Sequence, residues 1–65
     1  MSMPPWKLHL AALADAYSGH GGQIVLAEKL EVHAGTLRDW LNGRYIPNYA
    51  NRQRIAEVAK EVAGV

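Results

Sequence analysis

Residues 23–43 read QIVLAEKLEVHAGTLRDWLNG, and the spacing of their apolar side chains decides the fold. Leu26 and Leu30 lie four residues apart with Ala27 between them. This spacing gives one apolar face to a helix, because residues four apart lie on the same side of an α-helix. The pattern predicts a helix of about two turns over residues 23–30.

The second half of the stretch repeats the helical pattern. Trp40 and Leu41 lie three and four residues after Leu37. This spacing is the one expected for the buried face of another short helix. Asn42 and Gly43 follow directly. Glycine adopts the left-handed conformation beyond a helix end at low cost, so the second helix is expected to stop here.

Only the three residues 31–33 separate the two patterns, which favours a sharp crossing of two short helices, a helix-turn-helix. Val32 is expected to fill the corner of the turn. The small side chain of Ala27 is expected to let the second helix approach the first closely.

Further helices are predicted on both sides of this stretch. Trp6, Leu10, Leu13 and Tyr17 recur at intervals of four, three and four, with Pro5 suited to the first turn, so a helix is expected over about residues 7–16.

Two loops and a last helix complete the chain. Residues 18–22, SGHGG, are predicted to be a connecting loop, and a phosphate-binding loop is not favoured because no strand precedes them. Residues 44–48 should form a second loop, with Asn48 or a neighbour starting the last helix. The apolar stripe of that helix consists of Ile55, Val58, Ala59 and Val62.

Length and composition exclude several classes of protein. A chain of 65 residues has room for one domain with a small core, so residues 1–65 are expected to form a single unit without a catalytic cleft, and no enzyme is expected. No cysteine is present, so a disulfide framework and a Cys-based metal site are excluded, and a cytoplasmic setting is expected.

Metal, cofactor and membrane functions are not expected either. The three histidines, His9, His20 and His33, show no pairing at i and i+4, so the sequence predicts no metal site and no cofactor. No apolar run approaches the roughly 20 residues of a membrane span.

The chain resembles a known family over residues 23–65. The residues that carry the resemblance are Gln23, Ala27, Leu30, Val32, Leu37, the run Trp40-Leu41-Asn42-Gly43, Pro47 and Ile55-Ala56. They are similar to the phage repressor and Cro-like helix-turn-helix family, also called the xenobiotic-response-element family. The resemblance implies an all-α, compact lambda-repressor-like domain of four to five helices, and four are expected here.

One residue departs from the family pattern. The family usually has glycine after the leucine that ends the first motif helix, whereas this chain has Glu31. If the backbone is left-handed at this position, a non-glycine residue costs about 1 kcal/mol in strain.

The resemblance also implies which residues would contact DNA. In this family the second motif helix enters the major groove, and the first crosses the backbone. The base-reading candidates are His33, Ala34, Gly35, Arg38 and Asp39. The phosphate candidates are Gln23, Thr36, Asn42, Arg44 and Arg52.

The distribution of charge gives moderate support. The net charge is +1, with −1 over residues 1–32 and +2 over residues 33–65. Basic side chains therefore concentrate in the half that holds the predicted recognition helix, although the total is small for a nucleic-acid-binding protein.

The expected function is therefore that of a sequence-specific transcriptional regulator acting on a double-stranded DNA operator. One recognition helix covers half a site, so a homodimer on an inverted repeat is expected, with Val58–Val65 as the candidate dimer surface. The alternative is a protein-protein interaction module without DNA binding, which the weak net charge and the featureless Ala34-Gly35 pair favour.

Overall fold

A computed structural model describes residues 4–63, which form four α-helices and no strand. The helices are α1 (Pro5–Ala16), α2 (Gly22–Leu30), α3 (Ala34–Leu41) and α4 (Tyr49–Val62). The prediction of an all-α chain with four helices is confirmed for this range. No helix within it is long and apolar enough to cross a membrane.

Helix α1 begins with proline at its first position, where the missing N–H costs no hydrogen bond. Leu10 and Leu13 are buried, while Trp6 and Tyr17 are half-buried against the core. The predicted apolar face of α1 is therefore confirmed.

Helix α2 begins at Gly22, one residue earlier than predicted, so the assignment of Gly22 to the preceding loop was wrong. The reason is a close backbone approach. A Cβ atom on Gly22 would lie 1.8 Å from the carbonyl oxygen of Tyr17. Glycine at this position lets the chain leaving α1 pack directly against the first turn of α2.

Helix α2 ends at a left-handed glutamate. Glu31 has φ 59° and ψ 41°, and its N–H donates to the carbonyl oxygen of Glu28 at 3.0 Å. The N–H of Val32 donates to the carbonyl oxygen of Ala27, also at 3.0 Å. These two bonds are those of a Schellman motif, so the expected left-handed turn forms without glycine.

Helix α3 ends in the same way, with glycine in the left-handed position. Gly43 has φ 76°, and its N–H donates to the carbonyl oxygen of Trp40 at 3.2 Å. The N–H of Arg44 donates to the carbonyl oxygen of Asp39 at 2.9 Å. The predicted helix stop at Gly43 is confirmed.

A single core joins all four helices, with α4 packed against α1 and α2, and α2 packed against α3. The buried side chains are Leu10, Leu13, Leu26, Ala27, Leu30, Leu37, Trp40, Ile55 and Val58. Val32 is half-buried against this core, as its predicted place in the turn requires.

One residue of the predicted stripe on α4 lies outside the core. Val62 is 41% exposed, so its assignment to the buried face was wrong. It is the last residue of α4, one turn beyond Val58, and helix ends have fewer neighbours to cover them. Of the predicted dimer surface, Val58 belongs to the core, and residues 64–65 lie outside the described part of the chain.

Candidate nucleic-acid interface

The outward face of α3 carries most of the predicted base-reading residues. His33 occupies the N-cap position, with an extended backbone and an exposed side chain. Gly35 and Arg38 are exposed, whereas Asp39 is half-buried. Ala34 is also half-buried and packs against the core, so its methyl group is only partly available at this face.

Arg38 and Gln23 line the same concave surface, although they lie on different helices. This depression, of about 510 Å³, lies between α3, the first turn of α2 and the glycine-rich loop at residues 18–21. Tyr17 and Ile24 contribute to its wall. The structure thus brings together a predicted base-reading residue and a predicted phosphate-contacting residue.

The first turn of α2 gives this surface a positive electrostatic character. No acidic residue occurs in that turn, and no side chain among residues 4–63 caps its backbone N–H groups. The N-terminal end of a helix carries a partial positive charge and attracts anions. Gln23 is exposed at this end of α2.

Two of the predicted cationic contacts point into solvent. Arg38 and Arg44 are exposed, and neither guanidinium makes a side-chain hydrogen bond or ion pair within residues 4–63. Asp39 makes no ion pair with Arg38 in this range. Both arginines therefore retain their donors for a ligand.

Arg52 and Arg54, by contrast, are engaged within the fold. Arg52 donates from Nη1 to the carbonyl oxygen of Pro47 at 2.8 Å, and its Cζ lies 6.0 Å from the centre of the Tyr49 ring. Arg54 forms an ion pair with Glu31. A guanidinium has five donors, so Arg52 keeps some for another acceptor.

The remaining phosphate candidates lie at the two ends of α3. Thr36 is half-buried in the first turn of the helix, and Asn42 is exposed at its C-terminal cap. Together with Gln23 and Arg44, they surround the outward face of α3 with polar groups.

Sequence reasoning missed a group of exposed apolar side chains. Tyr45 and Ile46 in the loop after α3, and Tyr49 at the start of α4, are 66%, 74% and 69% exposed. The sequence signal for this group is the occurrence of three large apolar residues within the five positions 45–49. No group of three or more potential metal ligands comes together within the described residues.

Comparison with known proteins gives no relative. No protein-family model, curated protein or solved structure matches this chain.

Proposed function

We propose that this chain is a sequence-specific, double-stranded-DNA-binding transcriptional regulator of the lambda-repressor-like, helix-turn-helix type. In this proposal α2 and α3 are the two motif helices, and α3 lies in the major groove of an operator. The observation that carries it is the position of Arg38, which is exposed, has no side-chain partner within residues 4–63, and lies on a concave surface shared with Gln23.

Base recognition would depend chiefly on Arg38. Its guanidinium can donate two hydrogen bonds to O6 and N7 of guanine, which is worth about 1–3 kcal/mol of discrimination. His33, five residues before Arg38 at the N-cap of α3, can donate to an acceptor on a neighbouring base. Gly35 and Ala34 offer no polar side chain, so sequence-dependent DNA shape and bridging water would supply the remaining selectivity.

Phosphate contacts would surround this recognition face. Gln23 stands at the N-terminal end of α2, where both the side-chain amide and the helix dipole favour an anion. Arg44 supplies a cation immediately beyond α3. Thr36 and Asn42 add hydrogen-bond donors at the two ends of the helix. Arg52 adds the guanidinium N–H groups that do not donate to the carbonyl oxygen of Pro47.

So few cations imply weak binding by a single domain. Each neutralised phosphate releases counterions, and a protein that neutralises few phosphates gains little from this effect. Two copies on an inverted repeat, with half-sites about 34 Å apart, would combine two weak contacts into a stable one. Occupation of such an operator would block or recruit polymerase.

A protein-interaction module remains the second candidate function. It is favoured by the net charge of only +1 and by the apolar side chains that protrude beyond α3. It requires no role for Arg38, whose replacement would then leave the activity unchanged.

Selection from a pool of randomised duplexes tests the proposal directly. The purified, folded protein is mixed with the pool at about 0.1 M salt, and the retained duplexes are sequenced. We expect an inverted repeat with half-sites about 10 base pairs apart and guanine at one position of each. The absence of any enriched sequence would reject the proposal and favour the interaction module.

A further inference from the structure

The loop between α3 and α4 presents an apolar surface to solvent. Tyr45, Ile46 and Tyr49 are between 66% and 74% exposed, more than any other large hydrophobic residue described. We call these three residues the loop patch. Large apolar surfaces on a small protein commonly mark sites of association.

The loop patch is held outward by contacts at its base. Pro47, within the same loop, is buried, and its carbonyl oxygen accepts a hydrogen bond from Arg52. The Oδ1 atom of Asn48 accepts from the N–H of Asn51 at 2.9 Å, which caps α4. The guanidinium of Arg52 also lies over the ring of Tyr49. A surface fixed in this way loses little conformational entropy when it docks.

We propose that the loop patch is the contact through which a second copy of this chain docks around a two-fold axis. The inference rests on the proposed function, which calls for two copies on an inverted repeat. The patch begins four residues after Leu41, the last residue of α3, and two after the left-handed Gly43. A two-fold axis at the patch would therefore bring the C-terminal ends of two recognition helices together.

The size of the patch fits a weak, self-complementary contact. An aromatic residue buries about 200 Å² when fully covered, so the exposed fractions correspond to on the order of 400 Å² for the three side chains. A stable interface buries about 800 Å² on each partner. The patch supplies about half of that area, and a dimer with a dissociation constant in the high micromolar range is expected.

Arg44 makes this association dependent on DNA. It directly precedes the patch, so two-fold docking brings the two Arg44 side chains near each other. The repulsion between the two guanidinium groups weakens the dimer in free solution. DNA phosphates between the two groups would remove this repulsion. The dimer is thus expected to tighten when both half-sites are present.

Sedimentation equilibrium of the protein alone tests the inference without DNA. We compare the wild type with Ile46→Asn, which removes one apolar side chain of the patch without adding charge. The matched control is Leu8→Asn on α1, where the leucine is 54% exposed and outside the patch. Wild type and control should self-associate at about 1 mM, whereas Ile46→Asn should associate at least tenfold more weakly.

Three results would overturn the inference: a monomeric wild type at about 1 mM, an Ile46→Asn variant that self-associates as tightly as the wild type, or loss of self-association only in Val62→Asn at the end of α4. A second assay separates the inference from the function. On the selected DNA, Ile46→Asn should bind a single half-site as the wild type does but lose tighter binding to the inverted repeat. Failure of the wild type to bind any duplex, with dimerisation intact, would reject the function and leave the dimer contact standing.

Discussion

Arg54 of α4 forms an ion pair with Glu31, a non-glycine residue with a left-handed backbone. The two residues are 23 positions apart in sequence. The ion pair connects the turn between α2 and α3 to the helix that closes the core. Glu31 affects the stability of the fold in two opposing ways. Its left-handed backbone costs strain energy, while its side chain gains an ion pair with Arg54.

Replacement of Glu31 separates these contributions. The ion pair is exposed, with 42% of the Arg54 and 67% of the Glu31 side chain accessible, so Arg54→Met should lower the free energy of unfolding by no more than about 0.5 kcal/mol. In that background Glu31→Gly should raise it by about 0.5–1 kcal/mol, because glycine tolerates the left-handed backbone. Urea denaturation measures both. Destabilisation by Glu31→Gly in the Arg54→Met background would contradict the proposed strain.

Gly22 should be intolerant of any side chain. The Cβ atom of Gly22→Ala would lie 1.8 Å from the backbone carbonyl oxygen of Tyr17, so α1 and α2 must separate to accommodate it. We expect a loss of about 1–3 kcal/mol in the free energy of unfolding, measured by thermal and urea denaturation. Gly19→Ala is the control, since no atom of the described residues, other than its chain neighbours, lies within 4 Å of its Cβ position. Equal stability of the two variants would show that the helices do not pack so closely.

The sequence predicted the helices because each has an apolar face of its own. Leu26 and Leu30 define α2, Leu37 and Trp40 define α3, and all four side chains are buried. Such spacing identifies the inward face of a helix. It does not show whether the other helices reach far enough along that face to cover its last turn. The exposure of Val62 was missed for this reason.

Contacts between distant parts of the chain could not be predicted in the same way. The ion pair of Glu31 with Arg54 and the close approach of Gly22 to Tyr17 depend on the tertiary arrangement. The candidate site was predicted residue by residue from the family resemblance. The shared surface of Arg38 and Gln23 appears only once α2 and α3 are packed.

Arg38 and Arg44 should affect DNA binding differently. Arg38→Ala should cost about 1–3 kcal/mol on the selected operator and relax the preference at one base pair. Arg44→Ala should weaken binding to all sequences and lower the slope of log affinity against log salt by about 1. Lys7→Ala, on α1, is the control for loss of a positive charge. Titrations at several salt concentrations measure these effects.

Both arginine variants should keep the stability of the wild type, because neither side chain has a partner within residues 4–63. Unchanged DNA binding by the Arg38→Ala, Arg44→Ala double variant would contradict the proposed contacts.

Gly35→Ala should stabilise the fold and alter recognition at the same time. Apart from its chain neighbours and the backbone of its own helix, no atom of residues 4–63 lies within 4 Å of its Cβ position. Alanine is also the better helix former, so the free energy of unfolding should rise by roughly 0.5–1 kcal/mol. The new methyl group would face the DNA and favour contact with thymine. Repeating the duplex selection with this variant measures the change. An unaltered selected sequence would indicate that Gly35 does not approach the bases.

Left-handed residues end both motif helices, Glu31 after α2 and Gly43 after α3, so the short helix α3 lies between two fixed turns. Its inward side is anchored by Leu37 and Trp40, while Arg38 and Gly35 project from the opposite side without supporting the fold. Mutations at these outward positions can therefore accumulate without loss of folding. Under the proposed function, a lineage of such proteins would be able to exchange one DNA target for another through substitutions on this single helical face, with each intermediate still a folded protein.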